Sequence, residues 1–286
     1  MIVNPAAGGG RAERALQAVQ ETLSALRLEH HIERTGSLEH ARELALAAVA
    51  AGETAVAFGG DGMISAVAQA LQYSDGALGV LPGGRGNDFA RVLGIPLDPC
   101  IACNVLAHGA VRSLDLGVIN SKTFIGIASC GFDSEANRIA NETRHMRGQL
   151  VYAYGALRAL ARWKPATFHV TFDGGEHRTF TGYSVAAANS NAYGGGMFLA
   201  PDASLQDGLL DVVMIADVPK GRFLRVLPTV FKGEHVKQAN VEVRRASEIT
   251  VSADRRFTMY ADGDPIAELP VTVRALPGAV RVLVPQ

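Results

Sequence analysis

Three glycine-rich corners carry most of the chemistry legible in this chain: Asn4-Pro5-Ala6-Ala7-Gly8-Gly9-Gly10, Gly59-Gly60-Asp61-Gly62 and Pro82-Gly83-Gly84-Arg85-Gly86-Asn87-Asp88. Each follows a short apolar run and precedes a helix-like stretch. A strand, a turn without side chains and a helix start together present unpaired backbone N–H groups and a positive dipole end, which suits an anion. Three such corners at one edge of a sheet could hold a polyphosphate. The second corner has no lysine, so it is not a P-loop, and it does not satisfy the dinucleotide fingerprint. Alone it reads equally well as a tight turn whose glycines supply positive φ. Asp61 shifts that balance, because a carboxylate beside phosphate-binding amides is repulsive unless a divalent cation lies between them. The chemistry indicated is Mg²⁺ with ATP. Asn87-Asp88 repeats the arrangement, and Asp115, in Ser113-Leu114-Asp115-Leu116-Gly117, is expected to end the next strand. Each acid alone would be an ordinary cap or solvated turn; together they place three acids near one phosphate site.

The elements that must position these groups alternate over residues 1–118. Strand character at Ile2-Val3, near His30-Arg34, at Ala55-Phe58 and at Leu78-Leu81 is interleaved with helical character over Arg11–Leu26, Leu38–Ala51, Met63–Gln72, Phe89–Leu93 and Cys100–His108. That order implies an α/β domain with a mostly parallel sheet, helices on both faces, and ligands at the carboxyl ends of the strands, where all three corners fall. From 119 to 286 the pattern turns to strands: Thr123–Ala128, Thr167–Phe172, Thr179–Ala188, Leu210–Ile215, Glu248–Val251, Phe257–Tyr260, Val271–Arg274 and Val280–Val284. Asp173-Gly174-Gly175 reads as a hairpin turn. This second domain is expected to be antiparallel and β-rich, with helical inserts at Leu150–Trp163 and Gly221–Lys232.

Composition narrows the partners. At 286 residues there is room for two domains and a cleft, and 48% hydrophobic with 19% charged residues is the balance of an ordinary globular chain. A formal net charge of −1 gives no global attraction to nucleic acid. Met1-Ile2-Val3-Asn4-Pro5 enters a strand and turn directly, without the regions of a signal peptide, so a cytoplasmic location is expected. The longest uncharged stretch, Gly182 to Pro201, is broken by Asn189, Ser190, Asn191 and Gly194-Gly195-Gly196, which excludes a spanning helix there and leaves only peripheral membrane contact. The three cysteines read as small buried residues rather than a zinc or redox site, and the eight histidines show no ligand spacing.

Asn4-Pro5 with its glycines, Gly59-Gly60-Asp61-Gly62, Gly86-Asn87-Asp88-Phe89-Ala90 and Asp115-Leu116-Gly117 resemble the catalytic domain of diacylglycerol kinases. Further along, Asn189-Ser190-Asn191-Ala192-Tyr193-Gly194-Gly195-Gly196-Met197, Ala200-Pro201-Asp202-Ala203, Asp207-Gly208-Leu209-Leu210-Asp211 and Asp262-Gly263-Asp264 follow in the order found in soluble bacterial lipid kinases of that family. The resemblance covers nearly the whole chain. It implies a first domain like that of NAD kinases, a β-sandwich second domain, and an active site between them that transfers the γ-phosphate of ATP to the hydroxyl of diacylglycerol, giving phosphatidic acid. ATP would lie along Asn4, Pro5, Ala6, Ala7 and Gly8, Thr35, then Gly59, Gly60, Asp61, Gly62, Met63, Ile64 and Ser65, and the Gly84-Arg85 turn. A structural Mg²⁺ would be held by Asp207 and the carbonyls of Ser204 and Leu209, linked through water to Asp61 and Asp88. Asp115 would support the reacting end. Asp264 occupies the place of the family's glutamate base, about 1 Å short of it for want of one methylene. Met63 and Arg85 stand where the family has threonines, and an arginine can compensate by pairing with phosphate bidentately.

Rival acceptors are a sphingoid base, ceramide or NAD, and a rival of another class is a catalytically weak lipid- or nucleotide-binding regulator. Lys220, Arg222, Arg225, Lys232 and Lys237, interleaved with Phe223, Leu224, Val226, Leu227 and Phe231, suit an anionic membrane surface. The insert at Met146–Lys164, with Arg147, Arg158, Arg162, Tyr152, Tyr154 and Trp163, is a second candidate, although an amphipathic helix usually packs on its own core. The resemblance also allows a homodimer.

Overall fold

The computed structural model describes the backbone of residues 1–143 and 149–286; the side chains of 137, 140–142 and 149–153 lie outside the described residues. Arg147 and the side chain of Tyr152 therefore fall outside them too. The first half runs β1 (Ile2–Val3), α1 (Ala7–Ala25), β2 (Glu33–Arg34), α2 (Leu38–Ala50), β3 (Ala55–Gly59), α3 (Asp61–Ala70), β4 (Ala77–Pro82), α4 (Asp88–Val92) and α5 (Pro99–His108). Strands β4, β3, β1 and β2 lie side by side and parallel. The local chemistry explains these elements. Ser37 accepts the His40 N–H to start α2, and Asp98 accepts the N–H groups of Cys100 and Ile101 ahead of Pro99 at the first turn of α5. Helix α1 takes up regular geometry only after Gly8, Gly9 and Gly10, all at φ between 61° and 84°, a run of left-handed backbone that only glycine adopts without strain.

The second half comprises β5 (Ala110–Ile119), β6 (Lys122–Phe124), β7 (Ile127–Gly131), α6 (Phe132–Glu142), α7 (Gln149–Arg162), β8 (Ala166–Phe172), β9 (Glu176–Ala188), β10 (Leu210–Ala216), α8 (Lys220–Val226), β11 (Val241–Ala246), β12 (Glu248–Ala253), β13 (Thr258–Ala261), β14 (Asp264–Glu268) and β15 (Val271–Val284). Short 3₁₀ turns follow α8 at Leu227–Lys232 and Glu234–Lys237. Apart from the parallel return to β4, the pairings in this half are antiparallel, and their inward residues form one core around Phe124, Phe168, Val185, Leu210, Ile249 and Val273. An aromatic cluster of Phe132, Trp163, Tyr183 and Phe223 seats α6, α7 and α8 on the sheet, with Tyr183 and Phe223 stacked at 4.0 Å between centroids.

One strand joins the halves. Near Val271–Arg274, β15 pairs antiparallel with β12, and at Arg281-Val282 it pairs parallel with β4. The register against β5 shifts between Leu276 and Val280, a bulge with Gly278 at φ 58° that bends the strand from one sheet into the other. The expected pair of strands at Val271–Arg274 and Val280–Val284 is thus a single bent strand. Asp115, expected at a strand end, lies in the middle of β5. Sequence patterning also passed over α6, β11 and β14.

Candidate active site

The three glycine corners meet through backbone. Gly83 donates its N–H to the Gly59 carbonyl at 2.8 Å, Asn4 donates its own to the Phe58 carbonyl at 3.1 Å, and Arg11 reaches the Gly84 carbonyl at 3.0 Å. No side chain fits between them: a Cβ on Gly8 would lie 2.5 Å from the Gly83 oxygen, and one on Gly84 would lie 2.5 Å from the Gly60 Cα. Glycine is required here by close approach of main chain to main chain. The Asn4 Oδ1 accepts the Ala6 N–H, and the Asn87 Oδ1, on left-handed backbone, accepts the Gly84 N–H at 2.8 Å. Arg85 is exposed, and its guanidinium lies 3.9 Å from where a Gly9 side chain would begin, so the cation overhangs the first corner.

Two carboxylates converge at the third corner. A Cβ built on Gly86 would lie 3.1 Å from the Asp61 Oδ2 and 3.2 Å from the Asp88 Oδ2, so both oxygens face the same small space. Burial lifts the Asp61 carboxyl above the ordinary range; the N–H of Phe89, donated at 3.1 Å, opposes this, and the neighbouring Asp88 charge adds to it. Two like charges aimed at one space favour a cation there. Among the described residues no three acidic, histidine or cysteine groups form a closed metal cage. An open pair of carboxylates nonetheless fits Mg²⁺, which keeps much of its water and takes one or two carboxylates. Asp88 also crosses the cleft, its two oxygens accepting the Gly195 N–H at 3.0 and 2.8 Å from the glycine loop of the second domain.

Asp262 makes the second crossing. Its Oδ2 accepts the Ser65 hydroxyl at 3.1 Å and the Ile125 N–H at 2.8 Å, and its Oδ1 accepts the Gly126 N–H at 2.9 Å. Burial pushes this carboxyl up to about 6, against those three donors, with the Asp61 charge adding to the rise. Sequence reasoning gave Asp262 no role. The available sign was its place two residues before Asp264 in a turn, where it adopts φ 50°. Asp264 itself is exposed at the start of β14. Asp133, at the start of α6, was also missed: it is pushed up to about 6 by burial, and one of its oxygens has no partner among the described residues.

Several expected ligands have side chains engaged elsewhere. Thr35 is buried and donates its hydroxyl to the Ser37 carbonyl at 2.7 Å, and Ser65 donates its hydroxyl to Asp262. Met63 and Ile64 point into the core, with the Met63 sulfur packed under Gly59, so the methionine does not replace a phosphate-facing group. Only the backbone of these two residues could face a ligand. Asp115 is 3% exposed, and its oxygens accept the N–H groups of Gly208 and Gly278, each at 2.7 Å. It staples the bulge of β15 to the Ser204–Leu209 loop. In that loop Asp207 is exposed, its Oδ1 accepting the Leu209 N–H, while the Ser204 hydroxyl accepts the Gln206 N–H.

Comparison with known proteins agrees with this architecture. Residues 1–119 match the family described as diacylglycerol kinase catalytic domain, and residues 126–284 match the YegS C-terminal NAD kinase beta sandwich-like domain. A Mycobacterium tuberculosis protein named diacylglycerol kinase is 36% identical over 297 residues, covering 100% of this chain and 94% of its own. Among solved structures, a Bacillus anthracis protein described as a diacylglycerol kinase aligns with a TM-score of 0.73 at 20% identity, over 99% of this chain and 95% of that one. An Archaeoglobus fulgidus NAD kinase in complex with ATP aligns with a TM-score of 0.53 at 14% identity, over 99% and 92%.

Proposed function

This chain belongs to the diacylglycerol kinase family of lipid kinases, and from that premise we propose that it transfers the γ-phosphate of ATP to the free hydroxyl of diacylglycerol, forming phosphatidic acid. The observation that carries the reading is the convergence of Asp61 and Asp88 beside Gly86, inside three corners packed backbone to backbone and clasped to the second domain through Gly195.

In this reading residues 1–118 bind the nucleotide and 119–286 bind the lipid. The polyphosphate lies over the glycine corners, where backbone N–H groups, the N-terminus of α3 and the Arg85 guanidinium face it. Asp61 and Asp88 would hold Mg²⁺, which when bound would neutralise charge on the phosphates. Asp262, tied to three donors, fixes the Asp262-Gly263-Asp264 turn against α3. That leaves Asp264 as the general base for the acceptor hydroxyl. Asp207 with the carbonyls of Ser204 and Leu209 would supply a second, structural Mg²⁺ position, an oxygen-only set suited to a hard cation. For access to the bilayer, exposed Leu224 and Phe231 stand among Arg222, Arg225 and Lys232, while Phe223 is buried in the aromatic cluster. Helix α8 and the 3₁₀ turn after it therefore pack inward through Phe223 and present a cationic apolar edge.

The test is transfer of label from [γ-³²P]ATP to dioctanoylglycerol by the wild-type chain and by Asp264→Asn. We expect labelled phosphatidate from the wild type and at least a 100-fold lower kcat in the variant, with ATP binding retained. An Asp264→Asn variant of full kcat would remove the base assignment.

A further inference from the structure

Away from the glycine corners, a cavity of about 410 Å³ opens beside β13, between the C-terminal end of α7 and the Arg255–Thr258 segment. None of the corner residues lines it. Its walls carry four cations, Arg162, Lys164, Arg255 and Arg256, against Glu268; Arg138 and Glu135, also on the wall, pair with each other at 2.7 Å. Among the described residues no carboxylate comes within ion-pair distance of those four cations. A cluster of like charges without carboxylate partners among the described residues favours an anion supplied from outside.

Of these cations, Arg255 is held in place. Arg255 donates to the carbonyls of Lys164 and Pro165, and its guanidinium lies 5.3 Å from the Trp163 ring centroid and 5.1 Å from that of Phe257. This fixes the fork of donors in place. Trp163 is anchored in turn, stacked on Tyr183 at 6.0 Å. Its buried indole N–H, a donor, has no acceptor among the described residues. The pocket thus sets the oriented Arg255 guanidinium against the aromatic shelf of Trp163 and Phe257.

We propose that this pocket is a second anion site, distinct from the transfer site, that takes the phosphate of an anionic lipid headgroup. The phosphate follows from the arginine chemistry, since planar guanidinium groups match phosphate oxygens. The choice of a lipid as its carrier rests on membership of the lipid kinase family and on the apolar shelf beside the cations.

Trp163 is the single tryptophan of the chain, so its fluorescence reports this pocket directly. The full chain, without ATP, is titrated with dioctanoyl phosphatidate, with inorganic phosphate and with dioctanoylglycerol. Saturable change is expected with phosphatidate, at concentrations at least tenfold lower than with inorganic phosphate, and none with dioctanoylglycerol. In the exposed double variant Arg162→Ala/Arg256→Ala the phosphatidate midpoint should rise at least tenfold while the thermal melt stays as in the wild type. Lack of any saturable response, an unchanged midpoint in the double variant, or an equal response to dioctanoylglycerol would each overturn the site. Equal affinity for inorganic phosphate would overturn the lipid as carrier. No turnover is measured, so these results stand apart from the identity of the kinase's acceptor.

Discussion

Replacing Asp115 with asparagine separates two roles for this acid. In the structure it is a staple: one oxygen holds the Gly208 N–H, the other the Gly278 N–H, both at 2.7 Å, and the side chain is buried. Asparagine keeps one acceptor and turns an NH₂ group toward the other N–H, so one buried donor loses its partner and faces a second donor. Hydrogen bonds to charged groups contribute about 1.5–3 kcal/mol, and a stranded buried donor costs about 1–3 kcal/mol. Because these overlap, Asp115→Asn should destabilise by about 2–4 kcal/mol. At roughly 2–4 °C per kcal/mol, this lowers Tm by about 5–15 °C. The assay is a thermal melt followed by circular dichroism, paired with kcat and the KM for ATP measured well below the melt. The expected result is a lowered Tm with kcat within about tenfold of wild type. A variant that melts with the wild type yet loses 100-fold or more in kcat would refute the staple and place Asp115 at the reacting end.

Arg85→Ala should raise the KM for ATP about tenfold with little change in kcat, because a guanidinium over the first corner binds ground and transition states alike; an unchanged KM would leave Arg85 without that role. Gly86→Ala puts a methyl group 3.1–3.2 Å from the Asp61 and Asp88 oxygens. Its melt should shift little while transfer at saturating ATP falls about 100-fold, partly restored by raised Mg²⁺; full activity would mean that this space holds no cation. The Asp262 carboxyl keeps its proton up to about 6 in the folded chain but releases it near 4 when unfolded. Its contribution to stability therefore declines as pH rises from about 4 to 6, while kcat/KM should climb over the same interval as the anion forms to hold Ser65, Ile125 and Gly126. Asp262→Asn should remove that climb, with Asp133→Asn as the control for the other acid at about 6; an unchanged pH profile in Asp262→Asn would assign the limb elsewhere.

The parts of this site that were legible in the sequence are those whose reason is local. Gly59-Gly60-Asp61-Gly62 and Gly86-Asn87-Asp88 announce themselves because glycine is needed where main chains touch and an acid beside such a turn is unusual. The α/β order of the first half was readable from alternating apolar runs and from helix-start chemistry such as that of Ser37. What escaped depends on distant partners. Asp115 looked like a strand-end acid because its acceptor role is defined by Gly208 and Gly278, 93 and 163 residues away. Asp262 was overlooked because its donors Ser65, Ile125 and Gly126 are equally remote in sequence. Strand β15 was read as two pieces because its strand pattern lapses between Arg274 and Val280, where a bulge bends one strand between two sheets. Met63 was placed along ATP because it stands where the related kinases have a threonine, whereas the first turn of α3 directs its side chain inward against Gly59.

The central claim is most directly tested by one competition: kcat/KM for γ-phosphate transfer from ATP with Mg²⁺ to diacylglycerol, sphingosine, ceramide and NAD, measured in parallel with the short-chain lipids in mixed micelles. Phosphatidate is expected as the main labelled product, with diacylglycerol preferred by at least tenfold over the other acceptors. Preferential labelling of NAD or of a sphingoid alcohol, or no transfer to any acceptor while ATP still binds, would contradict the claim.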